Sequence, residues 1–284
     1  MVSDLLKSYK KKVFRTIKKY KLIVPGDKIY VALSGGKDSA AACYVLSRYV
    51  KEKEIDCDLV AFHITLGDFI PKEVREIVKK QATLCEVPLK IFSVSDFGID
   101  MKKVSRLKRP ICSNCGLIKR YLMNKIPKDK GANKLCTGHN ADDFIVFFFK
   151  NLLGNHPEWT AKFLPLLPGS DGMLSRIRPL FFVGGEEDRE FCESLGIPYL
   201  KEMPCPYLSI KRKMDKNRDK WFEIVENISR INPNFREQMM LGIMNVAEKF
   251  SSNLSVPNKC KICGEPTSGE ICSFCKLKEK INNL

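Results

Sequence analysis

Ser34-Gly35-Gly36-Lys37-Asp38-Ser39 is the stretch of this chain best equipped for chemistry. Its two glycines let the backbone approach a ligand with no Cβ in the way. The serines and the free N–H groups of a helix start are donors for phosphate oxygens, and Lys37 adds a point charge. The apolar run Ile29 to Leu33 before it and Ala40-Ala41-Ala42 after it predict a buried strand, a tight turn and a first helical turn. The spacing is neither that of a Walker A loop nor that of a dinucleotide Gly-x-Gly-x-x-Gly. An ordinary glycine-rich βα turn is the plainer alternative.

Cysteines are the second resource. Near the C-terminus, Cys260-x-x-Cys263 and Cys272-x-x-Cys275 bring four thiolates within reach of one tetrahedral ion, and this spacing predicts structural zinc, with redox cysteines as the alternative. The segment around them is small and polar, so metal rather than apolar burial is expected to fold it. Cys112-x-x-Cys115 has only two local thiols. Cys205, between Pro204 and Pro206, could supply a third. A thioredoxin-like dithiol, a zinc site short of one ligand and an iron–sulfur cluster on three thiolates all fit these residues.

The frame that positions them reads as α/β. Strands are expected at Ile29–Leu33, Cys57–Thr65, Leu89–Val94 and Lys134–Thr137, alternating with helices that include one from Pro71 to Cys85. That alternation predicts a doubly wound parallel sheet, whose ligands sit beyond the C-terminal strand ends, near His63. His63 could contact the nucleotide or be a satisfied structural residue. Helices are expected over 4–21, 144–153, 186–195 and 216–250, the last broken at Pro233, with a loop over 155–172. Four regions follow: a basic N-terminal helix (1–25), the nucleotide domain (26–200), a helical extension carrying Cys205 (201–255) and a zinc module (256–284). The apolar run Phe144 to Phe149 is read as core packing, with a partner or dimer contact as the alternative.

Forty-nine Lys and Arg against thirty-three Asp and Glu leave a net charge of +16 in 284 residues, which points to a polyanionic partner. The N-terminal helix is strongly basic. The most basic window, 102–130, has ten Lys and Arg against one Asp. No signal peptide and no bilayer-length apolar run is visible, so a reducing, cytoplasmic setting is expected.

Taken in order, Ser34 to Ser39, Cys112 to Tyr121, Thr137-Gly138-His139-Asn140-Ala141-Asp142-Asp143, Arg176-Ile177-Arg178-Pro179-Leu180 and Cys205-Pro206-Tyr207 resemble the tRNA 2-thiolation enzymes of the ATP-pyrophosphatase superfamily. The two-thiouridine synthetases are the nearer type. The resemblance implies ATP with Mg²⁺ on the loop at Ser34 to Ser39, with Gly138 and His139 beside it, and a [4Fe-4S] cluster on Cys112, Cys115 and Cys205. It implies adenylation of the C2 oxygen of a tRNA pyrimidine, then displacement of AMP by sulfur from that cluster. Lys119 falls where the family places a catalytic lysine, and Asp142 or Asp143 where it places a catalytic aspartate. Sulfide or a ubiquitin-like carrier would be the sulfur donor, and relatives commonly form dimers. Unlike most such relatives, residues 1–27 contain no cysteine module. Another adenylating enzyme of the superfamily, or a non-catalytic tRNA-binding zinc protein, is the competing reading.

Overall fold

The computed structural model describes residues 2–170, 172–202, 204–207, 217–251 and 257–284. In chain order its elements are α1 (Val2–Lys19), β1 (Asp27–Ala32), α2 (Lys37–Glu52), β2 (Cys57–Thr65), α3 (Lys72–Cys85), β3 (Leu89–Ser93), α4 (Met101–Ser105) and α5 (Ile111–Asp129). There follow β4 (Lys134–Cys136), α6 (Ala141–Leu153), β5 (Leu166–Leu167), β6 (Ser175–Ile177), α7 (Gly185–Ser194), α8 (Arg218–Ile231), α9 (Phe235–Ser251), β7 (Asn258–Lys259), β8 (Pro266–Thr267) and α10 (Ser273–Asn282).

The main sheet runs β3-β2-β1-β4-β6-β5, parallel throughout except for β5, which pairs antiparallel with β6. From β1 the chain winds outward through β2 and β3, then returns to the other side as β4. The direction of winding thus reverses between β1 and β4, which opens a crevice at their C-terminal ends. The glycine loop leaves β1 there, and Thr137 to Asn140 leave β4 beside it.

Helices cover both faces of the sheet. On one face, Tyr9, Val13 and Ile17 of α1 join the alanines of α2 and Phe191 of α7 in a single core. Three of the α1 cations are answered by this chain's own acids, in the pairs Lys10–Glu52, Lys12–Glu187 and Arg15–Glu237. On the other face, α4 and α5 share a core with the cysteine-rich tail, including Phe274, Leu277 and Ile281. The tail therefore buries more apolar surface than its composition suggests, because α10 docks along α5 instead of standing alone. A third core joins α6 to α8 and α9: Phe144, Ile145 and Val146 are buried, and Phe149 stacks on Trp221 at 5.8 Å. Core packing is the fate of most of that aromatic run.

Two differences from the sequence reading concern short elements. The expected loop over 155–172 contains a 3₁₀ turn at Pro157–Lys162 and the strand β5, and β6 follows unforeseen. Strands of two and three residues are too short for alternation to register. The break at Pro233 separates α8 from α9 as expected, while Lys216 and Val256 lie outside the described residues.

Candidate active site

The glycine loop is held open for an anion. Gly35 has φ +89°, and a Cβ there would lie 2.9 Å from the Leu200 side chain, so only glycine fits. Its carbonyl oxygen accepts from Gln81 Nε2 (3.1 Å) and Leu200 N (2.9 Å), which pins the turn to α3 and the 198–200 segment. Ser39 Oγ ties the loop to itself, donating to Gly36 O (3.0 Å) and accepting from Ser34 N (3.1 Å). Gly36 caps α2 without any side-chain bond, leaving the N-terminal amides of α2 facing outward with their partial positive charge. Lys37 lies 2.5 Å from Asp38. Burial opposes the Lys37 charge, but the neighbouring carboxylate outweighs it and the ammonium is held more firmly charged than usual.

Beside the loop lies a cavity of about 290 Å³, lined by Ser34, Asp38 and Ser39, by His63 from β2, by Gly138 and His139 after β4, and by Lys119 from α5. His63 is buried, and burial first, then the charges of Lys119 and Arg75, keep its imidazole neutral. Its Nδ1 lies 2.8 Å from the Leu33 carbonyl, so Nδ1 carries the proton and Nε2 is left as an acceptor. Gly138 approaches the loop backbone so closely that a Cβ would sit 2.6 Å from Ser39 N and 2.7 Å from Asp38 O. Gly35, Gly36, Lys37, Asp142 and Asp143 stand outside the cavity lining.

The two aspartates differ. Asp142 is buried and bidentate with Arg236 of α9 (2.7 and 3.2 Å), and it also accepts from Gly185 N at the start of α7 (2.8 Å). Asp143 closes a capping box with Asn140 and feels the charges of Asp38 and Lys37. Burial first, then Asp38, push its carboxyl up to about 6. Behind them sits Asp188, fully buried, accepting from Tyr9 Oη (2.5 Å) and from Asn140 Nδ2 (3.0 Å), which also reaches Asp38 (3.2 Å). Burial first, then the nearby Asp38 carboxylate, push the Asp188 carboxyl well above the usual carboxylate range.

Cys112 and Cys115 open α5, half-buried, one to two turns before Lys119. Cys112 Sγ lies 3.9 Å from the Tyr207 carbonyl, and Tyr207 stacks on Phe69 at 5.2 Å. The Cys205-Pro206-Tyr207 segment, 90 residues away in sequence, is thereby brought against the cysteine end of α5. No disulfide joins any of the twelve cysteines. In the tail, the sulfurs of Cys260, Cys263, Cys272 and Cys275 lie within 4.8 Å of one another, the one such metal-competent group among the described residues. The N–H groups of Cys272 and Cys275 point at Cys260 Sγ (3.2 Å) and Cys272 Sγ (3.4 Å). Burial opposes thiolate formation at Cys260, yet the backbone amides of Cys272, Cys263 and Ile262 outweigh it and bring its pKa to about 6.

Residues 6–212 match the PP-loop domain family. The chain belongs to the PP-loop family. It is 34% identical over 283 residues to the tRNA-5-methyluridine(54) 2-sulfurtransferase of Pyrococcus horikoshii, covering 96% of this chain and 86% of that protein. The enzyme of the same name from Thermotoga maritima is 31% identical, with 95% and 86% covered. Among solved structures, the U34-tRNA thiolase NcsA from Methanococcus maripaludis, with its [4Fe-4S] cluster, superimposes with a TM-score of 0.78 at 25% identity, covering 98% of this chain and 89% of that one.

Within this PP-loop site, Tyr9, Asn140, Asp188 and Arg236 escaped the sequence reading. Only Asn140 carried a local signal, as the residue before an Ala-Asp-Asp helix start. The other three reach the site from α1, α7 and α9 through tertiary packing.

Proposed function

We propose that this protein is an ATP-dependent tRNA 2-thiouridine synthetase. The C2 oxygen of a tRNA uridine attacks the α-phosphorus of ATP and pyrophosphate leaves. A sulfur nucleophile then adds at C2, and AMP departs with the original oxygen. The observation that carries this reading is that one helix, α5, presents Lys119 to the cavity beside the PP-loop and Cys112 and Cys115 at its start. Activation and sulfur delivery thus share one wall. The relatives' names support tRNA as the substrate, and the three relatives at or above 30% identity named for 5-methyluridine 54 favour that position.

In this reading Ser34, Gly35, Gly36, Lys37 and Ser39 bind the triphosphate, with Asp38 facing its Mg²⁺. Neutral His63 offers Nε2 to the nucleotide's donors, and Gly138 and His139 close the far wall. Lys119 stabilises charge building on the α-phosphate in the transition state. Asp143, not clamped to a cation as Asp142 is, takes the proton lost as the uracil rearranges. Cys112, Cys115 and Cys205 hold a [4Fe-4S] cluster, which when bound supplies an iron site able to carry sulfide. The tail cysteines hold zinc: Cys263 and Cys272 sulfurs stand 3.7 Å apart, close to the roughly 3.8 Å edge of a tetrahedron with ~2.3 Å zinc–sulfur bonds. A cytoplasmic location is the one that suits a tRNA substrate. Among the described residues no helix is long and apolar enough to cross a membrane.

The test incubates anaerobically purified protein with ATP, sulfide and unmodified tRNA. AMP, pyrophosphate and a 2-thiouridine nucleoside, resolved by mass spectrometry, are expected. Release of ADP, or no thionucleoside from an iron-loaded preparation, rejects the reading.

A further inference from the structure

The most basic window of the sequence and the lysines of the distant tail meet in one place. A groove of about 410 Å³ runs between residues 107–109, the start of α5 and α10. It is lined by Lys108 and Arg109 on one side and by Lys276 and Lys280 on the other, with Asn114 and Leu117 of α5 as its floor. Among the described residues no carboxylate lines it. All four cations are exposed, and among the described residues none of them forms an ion pair or donates a side-chain hydrogen bond. The α1 cations contrast with them, three being paired to this chain's own acids. The walls are fixed: Leu277 and Ile281 are buried, and Lys103 Nζ donates to the Ile281 carbonyl (3.2 Å). Four unanswered charges on a rigid concave surface attract a polyanion and release its counterions.

We infer that this groove binds the RNA phosphodiester backbone next to the nucleotide being modified. Helix α5 is the partition between the two sites, since Asn114 and Leu117 face the groove while Lys119 and Met123 face the cavity. A helix with its side chains is about 10–12 Å across, so a strand held in the groove lies close enough to swing one base around the cysteine end of α5. The groove deepens the proposed function and rests on it. It assigns strand positioning to the junction of α5 with the tail.

The test measures binding of fluorescently labelled, unmodified tRNA transcript to the full chain from about 50 to 200 mM salt. Two double variants, K108E/R109E and K276E/K280E, probe the two walls, and K7E/K11E on the exposed face of α1 makes the same change in net charge elsewhere. Each groove variant should lose at least about tenfold in affinity, and its salt slope should flatten by about 0.7–0.9 for each phosphate it no longer neutralises. Melting temperature and ATP binding should stay those of the unaltered protein, as should K7E/K11E throughout. Unchanged tRNA binding in both groove variants overturns the groove alone, as does an equal loss in K7E/K11E, which would make binding a net-charge effect. If the unaltered protein binds no tRNA, the proposed function falls with it.

Discussion

Asp142 and Asp143 are neighbours in sequence with different fates, and the difference is testable by pH. Asp142 is tied to Arg236, whereas Asp143 is pushed up to about 6 by burial and by Asp38. A base with that value works only when ionised. Thiolation under saturating substrate should therefore fall as pH drops through about 6, and D143N should lower the rate and remove that step. A profile unchanged in D143N would deny Asp143 the role. The same shift has a stability consequence of opposite sign. The folded chain keeps this proton up to about pH 6, whereas the unfolded chain releases it near 4. The stabilisation is thus full below about 4 and is lost as pH rises through that window, on the order of 1–3 kcal/mol. Chemical denaturation at pH 4.5 and 7.5 should show D143N closing part of that gap.

Among the elements, two strand ends and one shared helix make the site. Gly138 after β4 lies against the backbone of the PP-loop, not against flexible side-chain ends, so an added methyl cannot be accommodated by a rotamer change. G138A should weaken ATP binding by an order of magnitude or more while leaving the tail intact, measured by nucleotide titration calorimetry. Helix α5 is braced from behind by the tail. Tyr121 stacks on Phe274 at 3.8 Å, Asn124 Nδ2 donates to the buried Glu265 (3.1 Å), and Lys128 pairs with the same carboxylate. Metal removal or C263S should loosen α10 and α5 together. Hydrogen exchange should then quicken at residues 111–129 as well as in the tail; exchange confined to the tail would show that the bracing is weak.

Across the whole molecule, α9 reaches back to the site through Arg236, which answers both Asp142 and Glu226. R236A strands a buried carboxylate and should cost about 3–5 kcal/mol of stability; D142N/R236A should recover part of it, and equal losses in both variants would refute the pairing argument. The α/β class, the PP-loop and the four-cysteine tail were all legible in the chain before it folded. They depend on contiguous patterns: an apolar strand, a glycine turn, and cysteines spaced to reach one ion. Cys112, Cys115 and Cys205 were legible too, but only as candidates with nothing to bring them together. Long-range packing was needed to set α10 on α5, to stand Tyr9 and Asp188 behind the loop, and to face Lys276 and Lys280 toward Lys108 and Arg109. Each of these is a meeting of residues more than a hundred positions apart, and no local period or spacing encodes which buried faces will come to share a core.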